Sequence, residues 1–342
     1  ITKENIMNKY TKLGVSALCG SLAAVSTANA GDLSVSGGVD MSWISLPKAD
    51  TGNPIGIGSN YTLSGSGELD NGWSVALSIA NANANSYSNT NITIGIPGLG
   101  SVRVDQGVSG TGLHRMDDMT PTVWEEADGA GISAGINKIA GTSAGSTIEY
   151  TPSMLPDGLT GRIAYSPDAG GGAASDKGST ETSGSVKNSG YDITLVADGD
   201  ATPEGMTVYG GLSKIDQHQS TTFSDDVTEM TAGIKYAVGS FTLGYQYSKE
   251  ENGRASTTTE YQNDGYGVTF AINDDLSIGY NHYESKQTNT TNVTAEASSF
   301  QVAYSMGGMS IRLAEQTVDN KSYCTNAANQ RDATTISVAL AF

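Results

Sequence analysis

Alternation with a period of two constrains this chain more than any other feature, and it is clearest in the last nine residues, TTISVALAF. Ile336, Val338, Leu340 and Phe342 fall at every second position, with Thr335, Ser337, Ala339 and Ala341 between them. A strand sends successive side chains to opposite faces, so the four apolar residues share one face. A soluble sheet would bury that face. A terminal strand that ends on an exposed ring suits lipid, with the last aromatic at the membrane boundary.

The pattern recurs along the chain. Leu33, Val35, Val39, Met41 and Trp43 alternate with Ser34, Ser36, Asp40 and Ser42, and Tyr61 and Leu63 alternate with Thr62 and Ser64. Asp70-Asn71-Gly72 turns directly into Trp73, Val75, Leu77 and Ile79, and Pro97-Gly98-Leu99-Gly100 joins Ile92, Ile94 and Ile96 to Val102 and Val104. Further tight turns are expected at Pro156-Asp157-Gly158, Gly199 to Gly205, Gly239-Ser240, Asn273-Asp274-Asp275 and Gly307-Gly308. Long polar connections are expected at 167–189, 216–226, 250–263, 285–297 and 319–331, in alternation with the short ones. Such asymmetry between two rims predicts an all-β fold, a transmembrane antiparallel up-and-down β-barrel of about sixteen strands of roughly ten residues each.

The N-terminus fits export. Met7-Asn8-Lys9-Tyr10-Thr11-Lys12 is basic, Leu13 to Val25 is apolar, and Ala28-Asn29-Ala30 is a small-x-small cleavage site. Residues 1–30 are therefore expected to be upstream residues and a cleaved signal peptide, leaving a barrel over 31–342. The apolar run is too short for a helical span, which takes about 20 residues.

Charge narrows the partners. The whole chain carries −18, and cleavage removes three lysines and one glutamate, so the exported protein is more acidic still. It repels nucleic acid. After loss of Cys19 the lone Cys324 offers neither an intrachain disulfide nor a cysteine-based zinc site. The hydrophobic content of 37% is low for a soluble domain of this length but ample for a barrel with a watery interior.

The longest connection spans about 106–146 and is rich in acid: Asp117, Asp118, Glu125, Glu126 and Asp128, beside Trp124. A structureless excursion of that length is normally functional or disordered. With the leader, the segment NITIGIPGLGSVRVDQG, this loop, the segment STIEYTPSMLPDGLTGRIAYSP and the terminal Phe342, the chain resembles a general diffusion porin of Gram-negative bacteria, closest to the alphaproteobacterial type.

The resemblance implies a homotrimer in the outer membrane, surrounded by lipid and lipopolysaccharide. It implies insertion by the barrel-assembly machinery with Phe342 as the assembly signal, and passive passage of small hydrophilic solutes without cofactor or metal. It further implies that the long loop folds inward as a constriction. Asp117, Asp118, Glu125, Glu126 and Asp128 would then face basic side chains across the pore. Strand parity supplies that wall: Arg103, Arg162, Lys235 and Arg312 each lie beside apolar neighbours, and with those neighbours on lipid all four face the lumen. A cation turned to mid-membrane would cost about 2–4 kcal/mol. Alternatively, these cations pair with Glu149 and Asp192 inside the barrel, and the loop acids are solvated at the rim or bind divalent cations.

One departure from the family pattern affects selectivity. The strands between 31 and 96 contain no arginine, and only Lys48 lies in the adjoining loop. The basic wall is thin, so an acid-heavy pore is expected to lean weakly to cations. Other readings are a substrate-selective channel and a secreted or surface β-rich adhesin. Enzymatic readings fail on context. Gly131 to Gly135 and Gly141 to Gly145 match G-x-S-x-G without a strand opening into a helix, and His114, His218 and His282 lack zinc spacing.

Overall fold

Each alternating segment forms a strand, and the strands close on themselves. The computed structural model describes residues 33–45, 53–83, 85–107, 110–144, 146–170, 186–220, 222–255, 260–288 and 292–342. The expected leader over 1–30 lies outside these residues. The strands are β1 (Leu33–Ile44), β2 (Ile55–Glu68), β3 (Ser74–Ala82), β4 (Asn85–Ile96), β5 (Gly100–Gly107), β6 (Thr147–Pro152), β7 (Leu159–Ser166) and β8 (Lys187–Ala197). They continue as β9 (Met206–Gln217), β10 (Val227–Val238), β11 (Phe241–Glu251), β12 (Glu260–Ala271), β13 (Leu276–Thr288), β14 (Val293–Met306), β15 (Met309–Asp319) and β16 (Arg331–Ala341). Every strand pairs antiparallel with its sequence neighbour, and β16 pairs back onto β1 to complete a closed barrel. Closure removes both sheet edges, and hydrocarbon cannot satisfy the polar backbone of an edge.

The tight turns fall where Gly, Asn, Asp and Pro predict them. At the β2–β3 turn, for example, the Leu69 N–H donates to the Trp73 carbonyl at 2.8 Å and Gly72 adopts φ +80°. The opposite rim departs from strict alternation. Residues 285–297, expected as a long connection, are mostly strand: β13 runs to Thr288 and β14 starts at Val293. The polarity there marks strand ends that rise above the apolar band, with Glu284, Lys286 and Glu296 on the outer parity. The β3–β4 link on this rim is likewise only residues 83–84, with Asn83 in the left-handed conformation.

Burial is inverted relative to a soluble protein. Ile57, Leu212 and Leu340 are 71%, 59% and 53% exposed on the outer face. Gln246, Asn281, Gln301 and Gln316 are buried on the inner face. A continuous outer apolar surface with polar residues inside matches a lipid surround and contradicts an aqueous one. Tyr165, Tyr236, Tyr245, Tyr266, Tyr280 and Tyr304 are exposed on the outside, where phenol rings suit the membrane boundary. At the seam Phe342 and Gly37 exchange two backbone hydrogen bonds of 3.0 Å, which extends the β16–β1 ladder to the last residue.

Candidate functional site

The segment between β5 and β6 folds into the barrel, and the inner wall is chemically prepared to receive it. An irregular backbone away from water must find partners for its N–H groups. Inward carboxylates provide them. The Gly112 N–H donates to Glu149 Oε2 on β6 at 2.8 Å, and the Leu113 N–H donates to Asp192 Oδ2 on β8 at 2.9 Å. The Thr142 N–H and hydroxyl donate to the same Asp192 oxygen, each at 3.0 Å. Glu229 on β10 accepts from the Ala140 and Gly141 N–H groups at 3.1 and 2.6 Å. Charged acceptors make these bonds stronger than neutral ones, at about 1.5–3 kcal/mol each. Gly112 has to be glycine: φ is +55° and a Cβ there would lie 1.9 Å from Asp192 Oδ2.

Farther round the wall, side-chain amides take over. Gln246 on β11 donates to the Met116 carbonyl at 2.6 Å, and Asn281 on β13 accepts from the Ala127 N–H at 2.8 Å. Gln301 on β14 accepts from the Trp124 N–H at 3.1 Å and donates to the Glu125 carbonyl at 2.5 Å. Gln316 on β15 accepts from the Ile132 N–H at 2.7 Å and donates to the Ala127 and Ile132 carbonyls. An amide both donates and accepts, so one side chain satisfies a whole loop peptide. Two small apolar clusters add to the docking. Leu113, Met116 and Ile139 pack on Tyr209, and Ala127 and Ala134 pack with Ala297 and Val318. The described bonds thus hold the loop along β6, β8, β10, β11 and β13–β15, and its Gly131 lies close against Thr335 of β16 and Ile44 of β1.

The loop's charges gather on a residue that the sequence did not single out. The Lys138 ammonium lies 2.7 Å from Asp118, 3.1 Å from Glu126, 3.3 Å from Asp128 and 3.7 Å from Asp117, with the Tyr283 ring 5.4 Å away. Four of the five predicted loop acids therefore surround the loop's own lysine. Burial pushes the Glu126 carboxyl up to about 8 and Asp117 to about 7, with Lys138 pulling both the other way. Burial alone would lower the Lys138 value, but Glu126, Asp128 and Asp117 reverse this and hold it firmly charged. Glu125 stands apart, next to Trp124, whose ring lies 5.9 Å from the Arg312 guanidinium.

The four predicted wall cations share one level. Arg103, Arg162, Lys235 and Arg312 each sit three residues from the strand end at the short-turn rim. Arg103 pairs with Asp105 and donates to the Gly110 carbonyl at 3.4 Å, and Arg312 pairs with Asp40 at 3.0 Å. Arg162 and Lys235 are half-buried, and no ion pair to either is found among the described residues. Glu149 and Asp192, the alternative partners for these cations, are occupied by the loop instead: Glu149 pairs with Arg115, and Asp192 holds backbone N–H groups. Inward parity with a long amide or acid was the available sign of these anchors, and on β1–β4 the matching positions are mostly Ser, Thr, Asn, Gly and Ala, with the acids Asp40 and Glu68 as exceptions.

A closed barrel narrowed by a folded-in, net-acidic loop suits a water-filled passage. A family model described as Gram-negative porin matches residues 14–323. No curated protein sequence matches the chain. Among solved structures, the chain is similar to OmpT, an outer membrane protein of Vibrio cholerae, at TM-score 0.67 and 12% identity over 94% of this chain and 100% of that one. It is also similar to the anion-selective porin from Comamonas acidovorans, at TM-score 0.65 and 12% identity over 91% and 100%. Salmonella typhi OmpF in complex with daunomycin gives TM-score 0.64 and 14% identity over 92% and 98%. At these identities the likeness shows the fold, and it is the family model, matched over most of the sequence, that identifies this chain as a member of the Gram-negative porins.

Proposed function

We propose that this outer-membrane porin works as a homotrimer through which small hydrophilic solutes and ions diffuse passively, with a weak preference for cations and no enzymatic step. One observation carries the preference. Asp117, Asp118, Glu126 and Asp128 share the single Lys138, Glu125 stands apart from it, the loop's other basic side chain Arg115 is paired with Glu149, and β1–β4 contain Asp40 and Glu68 but no lysine or arginine. In a confined lumen this imbalance concentrates cations. Arg103, Arg162, Lys235 and Arg312, grouped toward the short-turn rim, moderate the field and keep the preference weak. Lipid and lipopolysaccharide would contact the outer apolar surface, and Phe342 would serve the barrel-assembly machinery as the terminal signal.

Planar bilayers separated by a KCl gradient test this. The expected result is a reversal potential of cation sign that grows as ionic strength falls, with closure in three equal steps. A reversal potential of anion sign would contradict the assigned preference, and single unit steps would contradict the trimer.

A further inference from the structure

We propose that the β15–β16 connection is a latch on the folded-in loop, with Tyr323 as its positioning residue. Residues 320–323 turn inward over the barrel mouth, and the Ser322 N–H donates to the Ala134 carbonyl at 2.9 Å. The Tyr323 hydroxyl accepts from the Asn137 N–H at 2.8 Å and shares a hydrogen bond of 2.7 Å with Ser285 on β13. Its ring packs on Tyr261 of β12 with centroids 5.2 Å apart. Tyr323 therefore ties the loop to two wall strands at the residue immediately before Lys138. On its other side Asn137 is tied to β12, where Asn263 donates to its carbonyl at 2.9 Å.

The backbone of the latch is strained. Asn320, Ser322 and Tyr323 have φ of 52°, 53° and 59°, in the left-handed region that non-glycine residues rarely adopt. Such conformations persist only where surrounding contacts impose them, and they concentrate at clamps and switches. Here Ser322 and Tyr323 are held by their bonds to the loop, and Asn320 by the bond its side-chain amide donates to the Thr294 carbonyl of β14 at 2.8 Å. Gly135 permits the close approach: its own φ is +65°, and a Cβ there would lie 3.3 Å from Ser322 Cβ. The latch thus fixes the limb that carries Lys138. Its release frees that limb to move in the water path without opening the barrel. The latch rests on the channel reading, which the step conductance of the unaltered protein tests separately.

Single-channel recording of Tyr323→Phe tests the latch, because the variant keeps the ring and loses only the hydroxyl. Brief closures should become roughly three- to tenfold more frequent, the change expected for losing one or two hydrogen bonds. Heat-modifiability of the folded barrel on a gel should stay unchanged. Tyr150→Phe, which removes a hydroxyl bonded to the Leu99 carbonyl at the opposite rim, should leave the record as it was. Gly135→Cys with Ser322→Cys, in a Cys324→Ser background, places two thiols near disulfide spacing, where Cβ atoms lie about 3.5–4.5 Å apart, and because position 135 has φ +65° its record is read only on protein that keeps the heat-modifiability of the unaltered barrel. Oxidation should suppress closures below the unaltered level, and reduction should restore them. The latch is overturned if Tyr323→Phe and both redox states of the double-cysteine variant match the unaltered channel. It is also overturned if Tyr323→Phe and Tyr150→Phe change the record alike.

Discussion

Glu126 has one carboxylate oxygen on the Thr120 N–H at 3.0 Å and on the Thr120 hydroxyl, and the other on Lys138 at 3.1 Å. In the unfolded chain it titrates near the ordinary carboxylate value, and in the fold near 8. Between those values the folded loop holds the extra proton. Its docking is therefore firmest at the acid end and weakens as pH rises through about 8. The same protons set the pore charge, with Asp117 following near 7. The reversal potential should accordingly be most cation-leaning above about pH 8 and decline toward about pH 6. A potential that is flat over that range and moves only near the ordinary carboxylate value would contradict the burial of these two groups. Lys138 is the counter-charge to all four clustered acids. Lys138→Met should destabilise the loop by an amount between the about 1 kcal/mol of an exposed pair and the about 3–5 kcal/mol of a buried one. Cleavage of the intact barrel by a glutamate-specific protease at Glu125–Glu126 should then become detectable, and Glu126→Gln in the same chain should reduce it. Equal resistance of Lys138→Met and the unaltered protein would remove the lysine from its assigned role. Sequence alone could not single out Lys138, because it stands 20 residues from Asp118 and is joined to it only by the loop's return path through the lumen.

At the level of strands and connections, most of the architecture was legible. The β2–β3 and β4–β5 hairpins follow directly from Asp70-Asn71-Gly72 and Pro97-Gly98-Leu99-Gly100, because turn chemistry is local. Strand ends at the opposite rim were less legible. Above the apolar band, outward and inward residues are both polar, so a strand such as 285–288 or 293–297 loses the contrast that marks it. The inward position of Arg103 and Arg312 could be read from parity, but their pairing with Asp105 and Asp40 depends on rotamers and cross-strand register. Anchors such as Gln301 and Gln316 looked like ordinary lumen residues until the loop was seen against them. The seam at Phe342 sets the expectation for assembly. Removing this residue takes away two backbone hydrogen bonds to Gly37 and the exposed terminal ring. Its deletion should lower the amount of heat-modifiable barrel in the outer membrane and raise periplasmic precursor. Unchanged amounts of both would show that the last residue is dispensable.

For the whole molecule, the account is a sixteen-strand barrel with one rim of tight turns, one rim of longer connections, a loop tied to the wall from β6 to β15, and no lysine or arginine on β1–β4. Orientation is tested by Cys324, which is exposed on the long-connection rim. A membrane-impermeant maleimide should label it on intact cells, whereas labelling only after lysis would invert the barrel. The central claim is that loop carboxylates set the field in the water path, and charge removal at those positions tests it most directly. Asp117→Asn, Asp118→Asn, Glu125→Gln and Glu126→Gln in one chain keep the side-chain shapes and leave Lys138 with Asp128 as its remaining acid partner. Arg103, Arg162, Lys235 and Arg312 then outweigh the loop. The reversal potential under a salt gradient should move from cation-leaning toward anion-leaning, with a larger shift at low ionic strength, where the Debye length exceeds the about 8 Å of physiological salt. An unchanged reversal potential at intact conductance would place the loop outside the pore and contradict the account.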